Sequence, residues 1–242
     1  NVWCAAGKGT FGTQELVERI RAVKLDRIVS HRTVILPQLG APGVAAHEVR
    51  QATGFRVRYG PVRAADIPAY LSAGLKKNDR MRKVTFSLRE RMTIAPAELA
   101  HAWPFLVAIL AGAAAYALPA APGYLPRMLK VFLPLVGSVL IGTLAFPALL
   151  PWAPFRAFAL KGALLGVIWA SCAALVAGVS RGTGAALVLI GAPITAFLSM
   201  NFTGSSTFTC QPGAAQEVRW GLVPMIVSLA AGIALGVAAR LV

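Results

Sequence analysis

The residues best equipped for chemistry are the first eight, Asn1-Val2-Trp3-Cys4-Ala5-Ala6-Gly7-Lys8. They read as a very short helix with a thiol near its start. Asn1 is a good N-cap, because its side-chain oxygen accepts an orphan backbone N–H of the first turn. Ala5 and Ala6 favour the helix and Gly7 stops it. Cys4 then lies where free N–H groups and the positive end of the helix dipole converge, with Lys8 near. Such surroundings lower a thiol pKa and favour the thiolate, the form that binds metals. A small buried core residue is the other reading of the same cysteine. Cys172 and Cys210 make no zinc-like pair or disulfide framework with it.

The string Asn-Val-Trp-Cys-Ala-Ala-Gly-Lys resembles the cap-helix motif of the mercury-methylating corrinoid proteins, the HgcA family. That motif takes Val or Ile second and Ala or Ser sixth, and all eight residues match. The resemblance continues through Leu36–Gly43 (Leu-Pro-Gln-Leu-Gly-Ala-Pro-Gly), Thr53-Gly54-Phe55, Tyr59-Gly60-Pro61-Val62-Arg63 and Asp66-Ile67-Pro68-Ala69-Tyr70-Leu71, and into a membrane domain like the family's.

The resemblance implies a corrinoid-dependent methyltransferase that moves a methyl group from cobalt to mercury(II), forming methylmercury. Cys4 would be the lower cobalt ligand and the catalytic residue. Asn1, Val2, Trp3, Ala5, Ala6, Gly7 and Lys8 would form the cap helix that presents it. Mercury(II) is an electrophile, so the methyl group must leave as a carbanion or radical equivalent. A thiolate trans to it pushes electron density onto cobalt more strongly than a neutral histidine does. None of His31, His47 and His101 sits in the Asp-x-His-x-x-Gly pattern of many cobalamin proteins; they read as surface or interfacial residues. The chain has no iron–sulfur ligand cluster. The resemblance therefore implies a ferredoxin-like iron–sulfur electron donor as partner, and a folate-linked methyl supply.

Gly7-Lys8-Gly9-Thr10-Phe11-Gly12 spells G-x-G-x-x-G, a weak dinucleotide signal when alone. The next strand-like run, Thr33–Leu36, ends in Pro37-Gln38 with no acidic residue for a ribose. Gly9 and Gly12 are better read as glycines that let the backbone approach a large flat cofactor.

The elements that would position these residues alternate. A helix capped by Thr13 runs to about Leu25, with Leu16, Val17, Ile20 and Val23 on one face. The strand Thr33–Leu36, the Pro/Gly-rich loop Pro37–Gly43 and a helix over about Val44–Ala52 follow. Phe55–Tyr59 alternates as a strand, and a short helix lies near Asp66–Leu71. This order implies an α/β, Rossmann-like half-domain with the cofactor cleft at its strand ends. The chain opens inside the motif and without Met, so the strand leading into the cap helix reads as missing; no signal peptide is visible. Residues 80–91 read as a further strand or helix, and Ala95–Glu98 as the start of a helix running into a membrane.

Of 242 residues 57% are hydrophobic and 14% charged, with mean hydropathy +0.65, a membrane-protein composition. Residues 1–101 hold 17 of the 24 Lys/Arg and 8 of the 9 Asp/Glu. The division expected is a corrinoid domain over 1–100, including a basic juxtamembrane linker over 76–100, and an all-α transmembrane domain over 101–242. Five apolar spans are expected, near 102–118, 129–150, 158–179, 184–202 and 221–239. Lys76, Lys77, Arg80, Arg82, Lys83, Arg89 and Arg91 precede the first span. They carry the positive-inside signature and fit attraction to anionic lipid, which places the soluble half in the cytoplasm at the inner membrane. No aromatic interleaving or nucleic-acid module accompanies the net charge of +15, so nucleic acid is excluded as a partner. Asn201–Cys210 reads as a solvated loop and Cys172 as a helix-packing residue. Two other functions stay open: a corrinoid methyl carrier of one-carbon metabolism with another acceptor, and a transport or anchoring membrane protein.

Overall fold

A computed structural model describes residues 5–6, 10–118, 122–206 and 211–241. The chain divides into two compact units, residues 1–85 and 86–242.

In the first unit, helix α1 (Thr13–Ala22) and the single turn α2 (Leu25–Ile28) lead into strand β1 (Thr33–Leu36). Helix α3 (Ala46–Thr53) then crosses to strand β2 (Arg56–Tyr59). The strands pair in parallel, with Thr33 opposite Arg56 and Leu36 opposite Tyr59. A short α4 (Ile67–Ser72) and the single turn α5 (Asp79–Arg82) complete the unit. Helices α1 and α3 pack together, and Val17, Ile20, Leu36, Val44, Val49 and Phe55 form the core. Gly54 ends α3 in the left-handed region (φ 77°), which only glycine enters without strain.

The expected Rossmann-like domain is corrected here: the described residues form one two-stranded parallel sheet and no clear Rossmann domain. The composition of β2 shows why. A doubly wound sheet is covered on both faces, so its strands are apolar throughout. In β2, Arg56 and Arg58 are exposed while Val57 and Tyr59 are half-buried, so helices cover one face only. The alternating run Val84–Leu88 adds no strand. Its Ser87 instead caps the next helix, α6 (Leu88–His101), in a capping box with Glu90. That helix begins earlier than Ala95, runs through Pro96 and belongs to the second unit. The cap assigned to Thr13 is also corrected: Gly12 is the N-cap, and the Thr13 hydroxyl accepts the Ala45 N–H at 2.8 Å.

The second unit is helical among its described residues. Four helical stretches are long and apolar enough to cross a membrane: Tyr124–Leu149, Phe158–Ala177, Arg181–Asn201 and Gly213–Arg240. A fifth exists if α6 and α7 (Trp103–Ala117), bent by 50° at Ala102, count as one broken span. Pro104 in the first turn of α7 has no N–H to continue the ladder across that break. The first stretch comprises α8 (Tyr124–Leu140), a π segment (Ile141–Ala145) and α9 (Phe146–Leu149). Pro147 cannot donate to a carbonyl one turn back, and the wider π turn lies just before it.

Helices α10 (Phe158–Ala177) and α11 (Arg181–Asn201) pack backbone to backbone, and α12 (Gln211–Leu241) closes against α11. A Cβ on Gly166 would lie 2.8 Å from the Ala192 Cα, and one on Gly162 would lie 2.9 Å from the Ala196 Cα. Small residues permit this approach where lipid supplies no hydrophobic drive between helices.

Candidate functional site

The loops leaving the carboxyl ends of β1 and β2 lie side by side, where open parallel sheets carry their ligands. After Leu36 the chain turns through Pro37 into a 3₁₀ turn at Gln38–Gly40, then Ala41-Pro42-Gly43. After Tyr59 it turns at Gly60, whose N–H donates to the Leu36 carbonyl at 2.7 Å. A Cβ on Gly60 would lie 2.9 Å from the Ile35 Cγ2 and 3.4 Å from the Leu36 carbonyl oxygen, so the chain leaving β2 runs close against the end of β1.

The N-terminal motif reaches this edge through the two of its residues that are described. Ala5 and Ala6 are helical, and Ala6 is buried. A Cβ on Gly43 would lie 3.0 Å from the Ala6 Cα and 2.5 Å from the Phe11 carbonyl oxygen, so glycine is required for this contact. The Phe11 ring lies on Gly40, whose Cβ would meet its Cε1 at 2.6 Å. The Ala5 carbonyl accepts the Phe11 N–H at 3.1 Å and the Thr10 hydroxyl at 3.2 Å. The segment after the motif is thereby folded back onto Ala5.

Side chains hold the loops from the other side. The Tyr59 hydroxyl donates to the Val44 carbonyl, and the Lys77 ammonium donates to the Gln38 side-chain oxygen. Burial pushes the Tyr59 phenol above its usual pKa, against a smaller opposing effect of a backbone hydrogen bond at Ala46. Burial, with Arg82 adding a like charge, pulls the Lys77 ammonium below its usual value.

Of the site residues expected from sequence, Asn1, Val2, Trp3, Cys4, Gly7, Lys8 and Gly9 lie outside the described residues. Gly12 is the N-cap of α1, with extended backbone (φ −120°). His31, His47 and His101 are exposed; their ring nitrogens meet the Thr33 N–H, the Glu48 carboxylate and the Ala97 carbonyl respectively. Among the described residues no group of three or more His, Cys, Asp or Glu could hold a metal ion. A corrinoid needs no such group, because its macrocycle supplies the equatorial donors and the protein one axial ligand. The glycine-bordered contact at Ala6 lies beside the loop edge that leaves β1.

The second unit contains charged residues whose burial sequence reasoning missed. Arg91, 5% exposed, donates from Nε to the Pro147 carbonyl and from Nη1 to the Phe86 carbonyl, both at 2.7 Å. The buried Lys161 donates to the Leu150 carbonyl at 2.9 Å. Two cations thus satisfy carbonyls at the C-terminal end of α9, where the helix dipole is negative. Glu217, also 5% exposed, accepts the Ala159 N–H at the N-terminus of α10, the matching pairing for an anion. The signal was the isolation of Lys161 and Glu217 in apolar spans. Their partners are backbone groups, which makes them helix caps.

Two further readings are corrected. Phe202, Thr203 and Ser206 are buried, Phe202 edge-on to Phe146 with ring centroids 6.1 Å apart, so Asn201–Ser206 is not a solvated loop. Residues 207–210, with Cys210, lie outside the described residues. Cys172 is exposed on α10 and does not pack between helices. Comparison with family models, curated proteins and solved structures gives no match.

Proposed function

We propose that this protein is a membrane-anchored, corrinoid-dependent methyltransferase that forms methylmercury from mercury(II), with Cys4 as the residue that would hold the corrinoid cobalt. The observation that carries this reading is the unbroken eight-residue match over Asn1–Lys8, which includes Trp3 and Cys4. Support comes from the helical Ala5–Ala6 segment held by Gly43 at the carboxyl edge of a parallel sheet.

When bound, the corrinoid supplies a cobalt-borne methyl group. The residues of this chain bind and orient. A cysteine placed just before the helical Ala5 would have its thiolate favoured, and Ala6 and Phe11 pack on Gly43 and Gly40. Glycine at positions 9 and 12 would let the backbone approach a flat cofactor. By the same resemblance, reducing equivalents would come from a ferredoxin-like iron–sulfur partner and methyl groups from a folate-linked donor. The seven basic residues over Lys76–Arg91 favour a cytoplasmic soluble half at the inner membrane.

The test is the visible absorption spectrum of the full chain reconstituted with cobalamin, wild type beside Cys4→Ala, followed by a mercury(II) methylation assay. A spectrum distinct from free cobalamin and lost on substitution, with methylation abolished and the fold intact, is the expected result. Identical spectra would return Cys4 to a packing role and leave a transport or anchoring function. Altered spectra without methylmercury would point to a methyl carrier with another acceptor.

A further inference from the structure

At the end of the second unit where α7 and α10 finish and α8 and α11 begin, a polar cavity of about 410 Å³ opens. Arg127 and Lys130 of α8 and Arg240 of α12 line it, with Tyr116, Ser180 and Thr183. The three hydroxyls already serve one another: Tyr116 meets Thr183 at 3.1 Å, and Ser180 donates to Thr183 at 3.0 Å. The three cations are exposed, and no acidic residue lines the cavity. After Glu98 the chain has one acidic residue, Glu217, which caps the opposite end of α10. A helix of that length spans about 30 Å, so this carboxylate cannot reach the cavity. Among the described residues of the second unit, no carboxylate answers these three cations.

A second observation selects the kind of anion. Lys130 also lines an adjoining cavity of about 470 Å³, otherwise walled by apolar or weakly polar side chains that include Leu133, Trp169, Cys172 and Val176. A cationic chamber and an apolar groove thus share one side chain at the end of a membrane-length helix pair. A free phosphate would use only the first. A phospholipid uses both, with its phosphate among Arg127, Lys130 and Arg240 and an acyl chain along α8 and α10. A choline or ethanolamine headgroup would add a fourth cation where no carboxylate answers it, so the matching headgroup carries net negative charge.

We propose that Arg127, Lys130 and Arg240, with the Trp169–Val176 groove beside them, form a binding site for one anionic phospholipid. The site is separate from the corrinoid reading and stands or falls without it.

The test is native mass spectrometry of the full chain released from mixed phosphatidylglycerol and phosphatidylcholine micelles. Each basic residue at a membrane surface contributes a several-fold preference, so wild type should retain phosphatidylglycerol over phosphatidylcholine by about tenfold or more. The combined Arg127→Gln, Lys130→Gln and Arg240→Gln variant should show no preference, whereas Arg127→Lys with Arg240→Lys should keep it. Ala173→Phe, which fills the groove, should reduce retention of both lipids. Equal retention of the two lipids by wild type would overturn the proposal, as would a preference that survives removal of all three charges. Inorganic phosphate adducts lost in the triple variant, without any lipid preference, would assign the chamber to a free anion and equally overturn it.

Discussion

Replacing Gly43 with Ala tests the contact, among the described residues, between Ala6 of the N-terminal motif and the loop after β1. The new Cβ would stand 2.5 Å from the Phe11 carbonyl oxygen and 3.0 Å from the Ala6 Cα, both backbone atoms. Ordinary contact begins at 3.4 Å, so the Phe11 carbonyl must retreat by about 0.9 Å (3.4 − 2.5). No side-chain rotation can absorb that. Phe11 is tied to Ala5 by its own N–H, so the displacement passes into the helical segment that follows Cys4. Overpacking of this kind costs about 1–3 kcal/mol, and two backbone obstacles argue for about 2 kcal/mol. That is about thirtyfold in the folding equilibrium. The assay is a urea titration of the full chain in detergent, read by limited proteolysis of the first unit, beside a cobalamin titration followed by absorbance. Gly54→Ala is the control. Its Cβ meets nothing within 4 Å, but its φ of +77° makes alanine strained by about 1 kcal/mol. Both variants should lose stability, and only Gly43→Ala should weaken cobalamin binding, by tenfold or more. A Gly43→Ala protein with wild-type stability and binding would refute the reasoning.

Other perturbations test the caps and the loop. Arg91→Met keeps an apolar stem but strips donors from the Phe86 and Pro147 carbonyls; thermal unfolding in detergent should show a loss of about 3–4 kcal/mol. Glu217→Ala removes the acceptor of the Ala159 N–H and should cost about 1–3 kcal/mol in the same measurement. Tyr59→Phe removes the donor to the Val44 carbonyl and should cost about 1 kcal/mol. The Tyr59 phenol has its pKa raised by folding, so its contribution is fully present below the unfolded value, near pH 10, and is lost as pH rises through the folded value. A urea-midpoint profile across alkaline pH should therefore fall more steeply in wild type than in Tyr59→Phe.

Local pattern carried the strands and the membrane helices. Thr33–Leu36 is a run of β-formers before a Pro, and it forms the strand over those same four residues. The apolar stretches near 129–150, 158–179, 184–202 and 221–239 became four membrane-length helices, because a span needs little more than about 20 apolar residues. The start of α6 was written in the sequence too, as Ser87-x-x-Glu90, but the alternation of Val84–Leu88 competed with it. The cap box wins because it satisfies two backbone donors, whereas an isolated alternating run has no neighbouring strand to pair with.

Sequence alone thus determined elements whose hydrogen bonds close within one segment: most of the helices and the four apolar spans, though not all of their ends. Tertiary structure decided what depends on distant partners. Among the described residues it paired two strands only, and it left the Arg56 and Arg58 face of β2 open to water. It turned Arg91, Lys161 and Glu217 into buried caps of other helices, for Arg91 and Glu217 at ends more than fifty residues away in the chain. It also brought Arg127, Lys130 and Arg240 around one cavity, although more than a hundred residues separate the first from the last. Periodicity reports which face of an element is apolar; only packing decides which carbonyl, amide or charge that element meets.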